Sequence, residues 1–486
     1  MNLMHLLRET ARRAPAQIAL VDLRAGASWT YGELVDRIDR VAGQLERGGV
    51  RDGSTVGLHV PSGADYIVLN YAVWKCGGCV VPVPTELAQS EKQEICRQIA
   101  LDFVISQPPA PRFVMPFAAR GGRVLDMKIG LVPIEPLRTH PREFQAVNAA
   151  FIRFTSGTTG DFKGVVLSHE TIRDRIDAAN EVLRVNPSDR VIWVLSMSYH
   201  FAVSIVAYLT FGAGIVLPPN HLAAGMLEAA GQHRGTFLYG SPAHFAWLAQ
   251  AANAPPLPHL RLAISTTASL SCDIAREFHE RFAVPITQAL GIIEVGLPCI
   301  NTRFAAERPS SVGNVLPAYE LRLDDAALGR RTGEIFFRGP GFLDAYYHPW
   351  RERYDILDDG WFRTGDIGEL DSDDCLYIRG RAKDVINVLG AKFFPQEVEQ
   401  VLLSHPAVRE AAVFAQPDLR LGEVPVARVA TDREPGTALR QELFHLCRQR
   451  LADFKRPQRI EFVSAVPRTA SGKILHRPVP EGAPSS

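Results

Sequence analysis

The sequence predicts a layered α/β protein: a large amino-terminal domain of several subdomains with stacked sheets and a β-rich unit, followed by a small α+β carboxy-terminal domain. Three observations carry this reading. Up to about residue 310, short apolar strand-like runs alternate with helix-like segments, the texture of a mostly parallel sheet. From Ser311 to Gly380 the texture becomes Gly-rich β, in GEIFFRGPGF, DGWFRTGDIGEL and CLYIRG. From Arg381 the strand–helix alternation restarts over roughly one hundred residues, enough for a domain of its own. The division is therefore drawn as 1–380 and 381–486.

The amino terminus, MNLMHLLRETARRAPAQIAL, carries Arg8 and Glu9 inside its apolar stretch, so it predicts an amphipathic helix rather than a secretion signal. Tyr31 to Glu46 has apolar residues at helical spacing, and Thr55–Val60 and Gly78–Val83 predict short buried strands. Cys76-Gly-Gly-Cys79 has the spacing of a redox or metal pair, but no second such pair and no histidine pair accompanies it. Its glycines predict a helix stop before a buried strand. The Pro-rich stretch from Leu131 to Ala149 is read as a connection. Ile192–Leu195, Ile215–Leu217, Thr236–Tyr239 and Leu262–Ser265 are the next strands. In the carboxy-terminal part the expected elements are strand Val385–Val388, helix Pro395–Ser404, strand Ala411–Ala415, helix Ala438–Leu451 and strand Ile460–Val463. The tail from Arg477 is rich in Pro, Gly and Ser and is expected to be mobile.

Composition narrows the function classes. Apolar residues make up 46% and charged residues 22% of the 486, the balance of a globular protein. Lys plus Arg (53) cancels Asp plus Glu (53), so nothing global favours nucleic acid as a partner, and no apolar run is long enough for a membrane span. Seven cysteines, few and odd in number, argue against a secreted disulfide framework and for a cytoplasmic setting. The oligomeric state is left open.

The chemistry is concentrated in Phe154-Thr155-Ser156-Gly157-Thr158-Thr159-Gly160-Asp161-Phe162-Lys163-Gly164, which holds three glycines, four hydroxyl side chains and one lysine. Glycines let backbone N–H groups converge on an anion, hydroxyls add donors and lysine adds a charge. Apolar runs lead in and out, which places the loop between two strands. It is not a Walker A loop, because Lys163 precedes its glycine instead of following it. A flexible surface turn is the bland alternative.

This run resembles the signature loop of the adenylate-forming superfamily: acyl- and aryl-CoA synthetases, peptide-synthetase adenylation domains and luciferases. Gly333-Glu334-Ile335, Trp361-Phe362-Arg363-Thr364-Gly365-Asp366, Gly380-Arg381-Ala382-Lys383-Asp384-Val385-Ile386 and Pro467-Arg468-Thr469-Ala470-Ser471-Gly472-Lys473 match further motifs in the family's order. The resemblance implies an acid–thiol ligase using ATP, Mg²⁺ and CoA, or a carrier-protein phosphopantetheine. Residues 381–486 would form a mobile lid that rotates between two poses. Thr155, Ser156, Gly157, Thr158, Thr159, Gly160 and Lys163 would hold the triphosphate, with Thr158 and Glu294 at the metal. Lys473 would bridge the carboxylate and the α-phosphate, where negative charges meet. Asp366, helped by Arg381, would take the ribose hydroxyls, and Lys383 would be the hinge. In Gln288-Ala289-Leu290-Gly291-Ile292-Ile293-Glu294, Leu290 and Gly291 would border the nucleotide. Leu290 stands where the family usually has an aromatic, and Ile293 where it has a hydroxyl residue. Ser265-Thr266-Thr267-Ala268 lacks the usual paired glycines.

Tyr199-His200-Phe201 falls where the family carries a gate beside the carboxylate, so His200 is a catalytic candidate. Tyr199, Phe201, Tyr239, Ser265, Thr266 and Ala289 would line an acyl pocket for an aryl or medium aliphatic carboxylic acid. No aspartate follows in Ala202-Val203-Ser204, against an amino-acid substrate. The expected activity is formation of an acyl-adenylate, then of a CoA thioester. The alternatives are an enzyme loading an acyl carrier protein and a decayed, non-catalytic nucleotide-binding homologue.

Overall fold

The computed structural model describes the chain except residues 120–122, 126–128, 156–162, 253, 269, 325–330, 389–390, 419 and 467–486. Two nine-stranded sheets build the amino-terminal part. In the first, the strands Ile286–Ile292, Leu262–Ser265, Phe237–Gly240, Arg190–Trp193, Gly214–Leu217 and Ile18–Asp22 lie side by side and parallel. Antiparallel strands close both of its ends. In the second, Ala149–Thr155, Cys79–Pro82, Thr55–His59 and Phe103–Ser106 are parallel neighbours, flanked by antiparallel Lys163–Ser168 and Ile129–Pro133.

The central strands are apolar along their whole length because both faces are covered. Successive residues face different cores: Val191 and Ile215 point between the sheets, and Ile192 and Val216 point outward. One hydrophobic cluster fills the space between the sheets, with helices Leu3–Arg13, Tyr31–Arg47, Ala64–Lys75 and His169–Leu183. Helices Ala223–Gln232, Pro242–Gln250 and Cys272–Phe282 cover the outer face of the first sheet, and Gln89–Gln98 covers that of the second. The result is an α/β/α/β/α stack. Helix Tyr31–Arg47 shows the local logic. A capping box of Thr30 and Glu33 starts it, and Tyr31, Leu34, Ile38, Val41 and Leu45 form its buried stripe.

Cys76 caps helix Ala64–Lys75, Gly77 turns the chain at φ +76°, and Cys79 opens the buried strand. Burial pushes the Cys76 thiol up to about 12 and the Cys79 thiol higher still, so both stay protonated. This is the predicted helix stop. The stretch read as a connection is corrected: Ile129–Pro133 is a strand paired with Phe103–Ser106, and Arg142–Ala146 forms a short 3₁₀ turn. Its prolines sit at strand ends and in loops, where no ladder bond is lost.

Glu320–Asp324, Thr332–Arg338, Phe362–Leu370 and Leu376–Arg381 form a four-stranded antiparallel sheet, the β-rich unit. Its inner residues, Ile335, Phe337, Phe362 and Leu376, join the cluster between the large sheets. Beyond Lys383, strands Ala391–Phe393, Ile386–Val388, Gly422–Thr431, Val408–Asp418 and Arg459–Phe462 form a five-stranded sheet. With helices Pro395–Leu403 and Thr437–Arg450 it closes a hydrophobic cluster of its own.

Candidate active site

Strands Ala149–Thr155 and Lys163–Ser168 make an antiparallel hairpin whose last ladder pair is Thr155 with Lys163. Ser156, Gly157, Thr158, Thr159 and Gly160 lie outside the described residues, as does Lys473. Lys163 is exposed, with its ammonium 4.9 Å from the ring centre of Tyr346. The Tyr346 hydroxyl donates to Glu294 Oε1 at 3.1 Å. Burial and the Glu294 charge raise the Tyr346 pKa, so the phenol stays protonated and keeps donating. The structure thus lines up the loop lysine, a tyrosine and the carboxylate expected at the metal. Among the described residues no three potential ligands cluster as a metal cage. Glu294 is a single hard-oxygen ligand, which suits a Mg²⁺ held mainly by phosphate oxygens and water.

Glu294 is fixed through its backbone. Arg175, 3% exposed, reaches across from helix His169–Leu183. It donates Nη1 to the Ile293 carbonyl at 2.8 Å, Nη2 to the Glu294 carbonyl at 2.9 Å and Nε to the Gly341 carbonyl. Leu343 N also donates to the Glu294 carbonyl, at 2.7 Å. Burial lowers the Arg175 pKa to about 10, which still leaves it charged at neutral pH. A side chain at Gly296 (φ +108°) or Gly341 (φ +70°) would press on the Arg175 stem. Leu290 and Ile293, the departures from the family pattern, pack against the central cluster, and Gly291 is exposed.

A second corner lies on the four-stranded sheet. Asp366, 8% exposed, pairs across the ladder with Arg381, and Arg381 Nε reaches its Oδ1 at 2.7 Å. Gly365 (φ +73°) turns the strand just before it, and Asp366 N donates to Thr364 Oγ1 at 3.0 Å. Two of the sequence motifs meet here: Arg363 clamps Glu334 with two hydrogen bonds, 2.8 and 2.7 Å. Lys383 sits in the one-turn segment Ala382–Asp384, the link between this sheet and the carboxy-terminal one.

Most of the residues expected to line an acyl pocket lie near the carboxyl ends of the parallel strands, where open α/β sheets bind ligands. Tyr239 stacks on Trp193 with ring centres 5.5 Å apart, and His200 stands edge-on to both at 6.1 and 6.2 Å. Burial, then the nearby Arg153 charge, takes His200 down to about 3, so its imidazole is neutral at physiological pH. Tyr199 lies under the Arg153 guanidinium at 5.4 Å. Ser265, Thr266 and Ala289 are buried on the neighbouring strand ends. Phe201 is turned elsewhere, 1% exposed among Tyr66, Tyr71, Trp74 and Phe151, because the backbone passes into a single π-helical turn at this point.

Sequence reading missed Arg175, Tyr346, Arg153 and Trp193. Arg175 was detectable: with Ile172, Ile176, Ala179 and Leu183 it occupies the buried face of its helix, where an arginine is out of place. Tyr346 had no such mark in a Tyr-Tyr pair.

Comparison with known proteins agrees with this arrangement. The AMP-binding enzyme profile matches residues 7–347, and the AMP-binding enzyme C-terminal domain profile matches 397–473. The chain belongs to the AMP-binding enzyme family, whose enzymes are AMP-forming acid–thiol ligases. It is 28% identical to the long-chain-fatty-acid–CoA ligase FadD13 of Mycobacterium tuberculosis, over 98% of this chain and 97% of that one. It is 27% identical to the sulfoacetate–CoA ligase of Cupriavidus necator, over 97% and 96%. Among solved structures, the o-succinylbenzoate coenzyme A synthetase of Bacillus subtilis, in complex with ATP and magnesium ion, superposes with a TM-score of 0.83 at 25% identity. That match covers 97% of this chain and 98% of that one.

Proposed function

We propose that this chain activates an aryl or medium aliphatic carboxylic acid with ATP and passes the acyl group to the thiol of CoA. The observation that carries this reading is the row Lys163, Tyr346 and Glu294 beside the phosphate-type hairpin. It sets a cation and a carboxylate in fixed relation, as a nucleotide with its Mg²⁺ requires. In the first half-reaction a carboxylate oxygen attacks the α-phosphorus and pyrophosphate leaves. In the second a thiolate attacks the acyl carbon and AMP leaves. Bound Mg²⁺ would neutralise charge on the leaving pyrophosphate. Asp366 accepts hydrogen bonds from the ribose hydroxyls, with Arg381 holding the carboxylate in place. His200, uncharged, borders the acid without competing for protons.

Residues 156–160 are assigned to the phosphates and Lys473 to the carboxylate and α-phosphate by their place in the family motifs. The lid begins near residue 381 with its hinge at Lys383, and the setting is cytoplasmic. The relatives' names range from a long-chain fatty acid to sulfoacetate and o-succinylbenzoate, so they do not select one acid. The test is acid-dependent pyrophosphate exchange over a panel of acids, followed by thioester formation with CoA or with a holo-carrier protein. Exchange followed by acyl-CoA supports the proposal. Exchange with loading of the carrier but not CoA would redirect it to the carrier, and no exchange with any acid would leave a nucleotide-binding homologue.

A further inference from the structure

Arg153 lies in an otherwise apolar stretch, Ala149 to Phe154, of the hairpin strand. Its Nε is shut off from solvent and has no hydrogen-bond partner among the described residues, and no ion pair of its side chain with a described carboxylate is present. The residue as a whole is half-buried. Its guanidinium lies over Tyr199 at 5.4 Å. Burial raises the pKa of Tyr66 and Tyr239 and lowers that of His200; the Arg153 charge opposes burial at the two tyrosines and adds to it at the histidine. A desolvated cation without a counterion is costly, and burial lowers its pKa to about 10.

Two more polar atoms in this region lack partners among the described residues. Trp193 Nε1 and Ser265 Oγ are buried at the ends of two strands that both pair with Phe237–Gly240. Guanidinium and indole N–H groups only donate, so they call for acceptors. Glu294 does not answer the call: its Oε1 accepts from Tyr346, and the proposed function assigns its charge to Mg²⁺. The reacting carboxylate is a poor partner as well, because a guanidinium fork would hold it in its ground state and blunt its attack on phosphorus.

We infer that Arg153 forms an oxyanion subsite in the acyl pocket, and that the acid this enzyme activates carries a second anionic group, a carboxylate or sulfonate, remote from the reacting carboxyl. The inference rests on the ligase reading above. It makes the aromatic wall of Trp193, Tyr239 and His200 the seat of the carbon skeleton, with the cation anchoring its far end.

The experiment uses the full chain and acids matched in skeleton: hexanoate against adipate, and benzoate against 3-carboxybenzoate and 3-sulfobenzoate. Pyrophosphate exchange is expected to favour the doubly charged member of at least one set, and the carboxylate and sulfonate arms show which oxyanion fits. Arg153→Met lowers that preference by about 100-fold, mainly through KM, because a buried charge partner is lost. Arg153→Lys recovers part of it by restoring the charge without the fork. Wild-type preference for the singly charged acid in every set overturns the inference, whether or not the variants fold. Equal loss for all acids in Arg153→Met, with ATP still raising the variant's Tm, also overturns it and assigns Arg153 to the reacting groups. No exchange with any acid removes the ligase reading, and this inference with it.

Discussion

The four-stranded sheet and the carboxyl ends of the parallel strands treat polar groups in opposite ways. On the sheet, charges are matched within the protein: Arg363 with Glu334, Arg379 with Glu369, Arg338 with Glu320 and Arg381 with Asp366, at 2.5 to 2.7 Å. Such part-exposed pairs add little to stability, because water screens them. Their main effect is to fix ladder register and so the aim of Asp366. At the strand ends, Arg153, Trp193 and Ser265 each keep a buried polar atom without a partner among the described residues. A self-satisfied corner can hold a generic ligand such as ribose in one place. An unsatisfied one is completed by whatever enters it, which is where selectivity for the acid belongs.

The sharpest way to break this contrast is at Glu294, which the backbone fixes while leaving its carboxylate available. Glu294→Gln keeps an acceptor for Tyr346 but removes the charge. Pyrophosphate exchange should fall on the order of 1,000-fold, about 4 kcal/mol, with Tm nearly unchanged. A small effect on exchange would remove Glu294 from the metal. Arg175→Met should come next. It leaves the carbonyls of Ile293, Glu294 and Gly341 without their shared donor, and urea unfolding should show a loss of about 3 kcal/mol. Arg175→Lys should recover little, because one ammonium cannot reproduce the fork.

On the sheet side the effect should be smaller and confined to the nucleotide. Asp366→Asn should raise KM for ATP about 30-fold, near 2 kcal/mol, while wild-type discrimination against 2′-deoxy-ATP disappears in the variant. Discrimination retained by Asp366→Asn would place the ribose elsewhere. At the strand ends His200 adds a pH test. Its pKa is depressed from an ordinary 6.5 to about 3, so the unfolded chain binds the proton first. The stability it contributes is present above pH 6.5 and is lost as pH falls toward 3, at no more than about 1.4 kcal/mol per pH unit. His169 and His244, each lowered to about 4, act in the same direction, so His200→Asn should flatten the acid limb in part. An unchanged slope would mean that the imidazole is solvated.

What could be read from the sequence follows the same divide. Strands Arg190–Trp193, Gly214–Leu217, Phe237–Gly240 and Leu262–Ser265 were legible because double burial writes unbroken apolar runs. Asp366 with Arg381 was legible because both belong to motifs that match a known family. Strand Gly422–Thr431 was missed, since Pro425 reads as a strand breaker, yet it sits in the ladder opposite Ala415. The Pro-rich run before Ala149 hid a strand for the same reason. Arg153 was hidden differently: it is one residue in a run whose neighbours are core, and only the fold shows that its Nε finds no partner.

The same divide separates Gly365 from Thr267. Both have positive φ, +73° and +79°, beside a predicted ligand corner. On the sheet the position is a glycine, which adopts that conformation without strain. At the strand end after Ser265 it is an exposed threonine, whose branched Cβ crowds the backbone there. Such strain costs about 1–3 kcal/mol, partly offset in any glycine variant by a more flexible unfolded chain. Thr267→Gly should therefore stabilise the protein by about 1 kcal/mol in urea unfolding. Thr267→Ala should gain much less, because its Cβ remains. Equal gains from the two would assign the strain to the branched methyl and hydroxyl rather than to Cβ. A loss in Thr267→Gly would show that the threonine side chain makes a contact worth more than its strain, and would weaken the contrast between a relaxed sheet and a strained strand end.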